Sequence, residues 1–196
     1  MSIEDKRRLR SSDALFGEPR TPLKLSMGLG RDWPDARGVF VSGGKEDQGT
    51  GSMLCAWINE DEHLSLIVRQ TGGGGISTSG VARHAFEQLC IAEHHLQAAL
   101  QQQGRGFARS QRWGFITALP ERLGTGLSVS VRLKLPRLTA VPEIGSLCAA
   151  EGLQITARAH GGVIEVSNRV SLGVSEVELF NLTMAACARL VAADQV

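Results

Sequence analysis

An α+β domain built around a largely antiparallel sheet is what this sequence predicts, and three observations carry the expectation. Seven short segments are rich in apolar and β-branched residues and are separated by turn-forming stretches. The clearest, 127–135, alternates without a break: Leu127, Val129, Val131, Leu133 and Leu135 take one face, Ser128, Ser130, Arg132 and Lys134 the other. Helical periodicity is confined to three segments interspersed among the strands.

In chain order, residues 1–12 are polar and charged and are expected to be a tail ahead of one domain over 13–196. Strands are expected at 38–41, 53–59 and 63–70. The stretches SGGKEDQGTGS, 42–52, and TGGGGISTSG, 71–80, read as loops, because ordering glycine runs costs entropy. A helix over 81–103 would place Phe86, Leu89, Cys90, Leu96 and Leu100 on one stripe and stop at Gly104. Strands at 113–119 and 127–135 flank a glycine-framed turn, Gly124-Thr125-Gly126. A short helix runs from near Pro142 to Gly152, followed by strands at 153–159 and 163–167. The last helix opens at Ser175 with Glu178 three residues on, a capping box, and presents Val177, Phe180, Met184, Cys187, Ala188 and Val191 as its apolar stripe.

Composition narrows the function. At 196 residues the chain is long enough to bury a sizeable core, and 21 Lys+Arg against 20 Asp+Glu leave a net charge of +1. That balance argues against a nucleic-acid partner, which needs clustered cations. No apolar run approaches the ~18 residues of a membrane span. The opening MSIEDKRRLRSS carries acids and no apolar stretch, so neither a secretory signal nor an acid-poor transit peptide is read there, and a cytoplasmic or mitochondrial site is expected over secretion. Cys55, Cys90, Cys148 and Cys187 stand far apart among apolar neighbours with no C-x-x-C pair, so they are expected as reduced, buried thiols. His94 and His95 are adjacent on a helix and point about 100° apart, so they share no metal, and no metal site is expected.

Residues 31–38 read RDWPDARG, which resembles, residue for residue, a segment of the creatine kinases within the phosphagen (ATP:guanidino) kinase family. The likeness continues in order through PRTPLKLSMGLGRDWPDARGVF, AWINEDEHLSLIV, GFITALPERLGTGLSVSVRLKL and VSNRVSLGVSEVE, about residues 13–178. The resemblance implies a catalytic domain with an antiparallel sheet of about eight strands flanked by helices. It implies transfer of the ATP γ-phosphoryl to a guanidino nitrogen, a reaction of positioning and charge stabilisation using arginines, a carboxylate and Mg²⁺. It also implies a small helical domain that closes over the acceptor, for which these residues hold no counterpart.

Carried over position by position, the resemblance puts three of the family's phosphate arginines at Ser65, Ser128 and Ser171. A fourth belongs to a glycine-rich segment that is shortened here, with Arg158 as its candidate remnant. The guanidinium-facing glutamate falls at Asp61, one methylene short, and the reactive cysteine at Leu119, which supplies no thiolate. Arg132 stands where the resemblance places a histidine near the adenine. What remains for a nucleotide is the turn Gly124, Thr125 and Gly126, with the backbone N–H groups of 123–127 as a weak anion nest, and Arg132 beside it. The bland alternatives are a tight turn for the glycines, turn carboxylates for Asp61 and Glu62, an Asp/Arg ion-pair network for RDWPDARG, and a solvated or partner-facing charge for Arg132.

The expectation is therefore a catalytically inactive guanidino-kinase-like domain, without resident cofactor or metal, retained as a structural or assembly subunit beside other protein subunits. A mitochondrial energy-transducing complex and a cytoskeletal assembly fit equally. The alternatives are a nucleotide- or guanidinium-binding sensor and an active phosphotransferase completed by a partner chain; only these would use ATP and Mg²⁺.

Overall fold

The structure, a computed structural model, describes residues 2–11, 14–42, 52–70 and 78–195. The loops expected at 42–52 and 71–80 lie mostly outside these residues. Two compact units are distinguished, residues 1–106 and 107–196.

In the first unit the elements are α1 (Ile3–Ser11), α2 (Pro22–Ser26), β1 (Gly38–Ser42), β2 (Ser52–Ile58), β3 (Leu64–Gln70) and α3 (Thr78–Gln102). The strands form an antiparallel sheet in the order β1-β2-β3, with Cys55 opposite both Val41 and Ile67. The expected polar tail is helical instead. Ser2 Oγ accepts from Asp5 N at 3.0 Å, Glu4 and Asp5 sit in the first turn where the helix dipole favours acids, and Leu9 anchors the helix in a core with Ala14 and Cys55. Trp57 joins that core and donates Nε1–H to Ala14 O at 2.8 Å. Helix α3 lies against β3 and β2, and Cys90, expected buried on its stripe, is exposed.

The second unit holds β4 (Arg109–Ser110), β5 (Gly114–Phe115), β6 (Ser130–Lys134), α4 (Ile144–Ala150), β7 (Leu153–Ala159), β8 (Val163–Asn168) and α5 (Glu176–Gln195). β4 pairs with β5, and a separate sheet runs in the order β6-β8-β7. Among the described residues eight strands are thus present, every pairing between them antiparallel, distributed over sheets of three, two and three strands and not one sheet of eight. The strand expected at 113–119 shortens to β5, because Pro120 starts a 3₁₀ turn and Phe115 bridges to Gly124 across it.

Over 127–135 the ladder covers only β6, yet burial alternates along the whole stretch, ending at fully buried Leu135. Leu133 and Leu135 pack with Ile144, Leu153, Ile164 and Leu190, each buried side chain contributing about 2 kcal/mol. Ser175 Oγ accepts from Glu178 N at 3.2 Å, the first of the two bonds a capping box makes. The buried face of α5 is Leu179, Thr183, Ala186, Cys187, Leu190 and Asp194, rotated from the expected stripe: Val177 and Val191 face out. Asp194 is buried with cause, since Oδ1 accepts from Arg137 N at 2.9 Å and Leu138 N at 2.8 Å.

Candidate functional site

In the first unit the β2–β3 hairpin turns at Asn59, which adopts φ 54° and donates Nδ2–H to Ala36 O at 2.9 Å. Glu60, Asp61 and Glu62 occupy that turn, as a hairpin reading of the sequence requires. Asp61 is only 7% exposed. Its Oδ1 lies 2.6 Å from Lys24 Nζ, which also stands 3.6 Å from Glu60 Oε1. Glu60 Oε2 in turn accepts from Asp61 N at 2.6 Å. Helix α2 delivers the lysine: Thr21 Oγ1 caps Lys24 N at 3.3 Å, and Pro22 begins the helix with no N–H to lose.

Burial pushes the Glu60 carboxyl up, against the opposing pull of the Asp61 N–H bond and the Lys24 ammonium. At Lys24 burial acts downward, but the Asp61 hydrogen bond and the two carboxylates outweigh it, so the amine is held charged above its ordinary range. Asp61, the position at which the resemblance puts a guanidinium-facing glutamate, is thus paired with a cation from within the fold. Lys24 went unnoticed in the sequence; its one signal was a lone cation in the apolar run PLKL. Ser65 is half-buried in β3, opposite Trp57.

RDWPDARG is fixed differently from the expected ion-pair network. Arg37 donates to the carbonyls of Leu29, Arg31 and Asp35, the first at 2.5 Å, and stacks over Trp33 at 5.6 Å. Carbonyls, not carboxylates, receive this guanidinium.

In the second unit the turn Gly124-Thr125-Gly126 is held tightly. Gly124 has φ 109°, and a Cβ there would lie 2.3 Å from Ser171 O; Gly114, opposite, has φ 70° and the same 2.3 Å clearance to Gly124 O. Ser171 is buried, and its single hydroxyl proton is shared between Glu121 O and Leu123 O, each 2.8 Å away.

The expected anion nest is closed. Leu123 N bonds Pro120 O at 3.2 Å, Gly124 N bonds Phe115 O at 3.3 Å, Thr125 N bonds Ser171 O at 2.9 Å, and Gly126 N bonds Arg122 O at 3.1 Å. Leu127 N completes the set on Thr125 Oγ1 at 3.2 Å. Every N–H from 123 to 127 is thereby committed inside the fold. A Mg²⁺–triphosphate, which the resemblance implies, needs outward-facing donors and cations, and the backbone of this turn does not fit it.

The other expected positions follow. Leu119 is buried beside Pro120, and Ser128 is exposed. Arg132 is ion-paired, its Nε 2.9 Å from Glu165 Oε2 directly across the β6–β8 ladder, while its side chain stays 71% exposed, a solvated charge with a cross-strand partner. Arg158 lies exposed in β7 opposite Ile164. The structure thus gathers Leu119, Gly124, Thr125, Gly126 and Ser171 around one turn of the second unit, while Asp61 and Ser65 belong to the first.

His94 and His95 have ring centroids 6.4 Å apart, and among the described residues no group of three or more His, Cys, Asp or Glu is placed to hold a metal. Burial raises the thiols of Cys55, Cys148 and Cys187, the last to about 11, which leaves them protonated. No helix among the described residues is long and apolar enough to cross a membrane.

Comparison with known proteins supplies the frame. The family model for the ATP:guanido phosphotransferase C-terminal catalytic domain matches residues 1–195. Creatine kinase B-type of Gallus gallus is 32% identical over 190 residues, 94% of this chain and 46% of that protein. Creatine kinase M-type of Gallus gallus is 31% identical over 184 residues, 91% of this chain and 45% of the relative. The crystal structure of lombricine kinase aligns with a TM-score of 0.84 at 28% identity, over 100% of this chain and 51% of that one. The duplicated taurocyamine kinase of Schistosoma mansoni, with bound transition-state-analog components, aligns with a TM-score of 0.78 at 29% identity, over 99% of this chain and 25% of that one. This chain spans about half the length of the creatine kinases it matches. With the family model covering nearly every residue and the fold agreeing throughout, the chain belongs to the ATP:guanido phosphotransferase family and corresponds to its C-terminal catalytic domain.

Proposed function

We propose that this domain has lost phosphoryl transfer and serves as a structural or assembly subunit of a larger protein complex. The observation that carries the reading is the closed turn: all five backbone donors from 123 to 127 are bonded within the fold. Hydroxyls at Ser65, Ser128 and Ser171 stand where the resemblance places arginines, and that of Ser171 bridges two carbonyls of the turn itself. Removing one preorganised donor from a transition-state oxyanion costs about 3 kcal/mol, a hundredfold or more in rate, and the loss of three leaves little above background even when their effects do not add. Lys24 supports the reading from the other unit by neutralising Asp61 internally.

The test is direct. The purified chain with Mg-ATP and creatine, lombricine or taurocyamine, the acceptors in its relatives' names, is expected to show no phosphoryl transfer above a blank, and calorimetry no micromolar binding of ATP or ADP. Measurable turnover would make the chain a working kinase half and end this reading.

A further inference from the structure

We infer that the free edge of β7 is a docking groove for an extended, acidic segment of a partner protein, which would add to the sheet as a further strand. β7 is the outer member of its sheet, pairing with β8 on one side and with no other strand among the described residues. An open groove of about 610 Å³ runs along it. Six consecutive residues, 153–158, line this groove, so both side-chain parities of the strand contribute. A regular strand offers a sheet face alternate residues only; a bulge between Ile155 and Ala157 breaks that alternation locally, and the consecutive residues on either side of it mark the backbone edge, where N–H and C=O groups are open to a new strand.

The far wall is α4, which presents Gly145 and Ala149. Such small residues leave room between helix and strand edge for a peptide backbone, the arrangement by which strand addition works elsewhere. β7 is seven residues long, about 23 Å at ~3.3 Å per residue, enough to pair a complete short strand.

The occupant's charge follows from the lining. Arg158 and Arg169 are its only charged members, both exposed and neither with a carboxylate partner among the described residues. A basic segment would be repelled here. A second copy of this chain, pairing β7 to β7, would bring the same two arginines to the contact from both sides. An acidic strand meets main-chain groups along its length and guanidinium groups at Arg158 and Arg169.

This inference rests on the assembly reading above, but its test is separate. The probe is a fluorescein-labelled peptide of roughly ten residues alternating Val and Glu, with a Val/Lys peptide as control, titrated into the full chain by fluorescence anisotropy. The acidic peptide is expected to bind and the basic one not to. Gly145→Leu grows a side chain where a Cβ meets nothing within 4 Å, so it should fold normally and block the groove. That variant and Arg158→Glu/Arg169→Glu should each weaken binding about tenfold or more.

Failure of the acidic peptide to bind, or binding that survives both changes, overturns the groove while leaving inactivity standing. Competition by free inorganic phosphate at matched charge, or a dimer that Gly145→Leu dissolves, also overturns it, the first in favour of a simple anion site and the second of self-pairing. Turnover in the kinase assay would end the inactive reading and leave the peptide result intact.

Discussion

The turn at Glu60 and Asp61 is closed by charge, and the turn at Gly124–Gly126 is closed by neutral hydrogen bonds and steric contact. In the first, an ammonium sits 2.6 Å from a buried carboxylate, and one lysine accounts for the neutralisation. In the second, no charge takes part: backbone donors, two hydroxyls and two glycines without room for a methyl group interlock. The difference bears on how each turn responds to a single substitution. Charge closure leaves the hairpin intact and is reversed by replacing one side chain. Closure by packing makes Ser171 and the glycines part of what holds the loop, so undoing it costs stability.

The largest effect expected from that contrast is at Gly124. Gly124→Ala places a methyl 2.3 Å from Ser171 O at φ 109° and should destabilise by about 3 kcal/mol or more, read as a lower urea midpoint at unchanged m. A loss under about 1 kcal/mol would mean the turn relaxes freely and is not locked by packing. Ser171→Ala should cost about 2 kcal/mol, because Glu121 O and Leu123 O lose their shared donor in a buried place. If instead Ser171→Ala is neutral in denaturation while the kinase blank stays flat, the hydroxyl is incidental to the closure.

How much of this was legible beforehand depended on the range of the interaction. The alternation at 127–135 is local, one residue to the next, and burial follows it throughout. The α5 stripe was misread because its buried face carries Thr183, Ala186 and Asp194, which do not look apolar, while Val177 and Val191 look apolar and are exposed. Helix α1 hid behind its charges, since a single leucine, Leu9, docks it. The family blocks are also local, and the resemblance they carry is what singles out Ser65, Ser128 and Ser171 as positions where arginines are expected. The closure of the turn could not be read, since Thr125 N finds Ser171 O, 46 positions along the chain, only after folding. Lys24 and Asp61, 37 positions apart, were hidden for the same reason.

Lys24→Met is the gentlest probe of the charged turn, and its pH profile separates charge closure from packing. The lysine side chain is 28% exposed and Asp61 10%, so water screens the pair and the loss at neutral pH should be about 1 kcal/mol, less than for a fully buried ion pair. The folded amine titrates above its ordinary 10.5, so its stabilisation is fully present below that pH and disappears as pH rises through the folded value. On the acid side Glu60 titrates above its ordinary 4.5 because of burial, so the fold favours its neutral form and loses that advantage as pH rises through the folded value. Without the ammonium that advantage and its loss should both grow. The stability difference between wild type and Lys24→Met should therefore narrow on the acid side as Glu60 takes up its proton, be widest around neutrality and narrow again as pH rises through the folded Lys24 value above 10.5, by urea denaturation at each pH. A difference that stays level from acid to alkali would assign the role of Lys24 to the packing of its methylenes, and the two turns would then be closed alike.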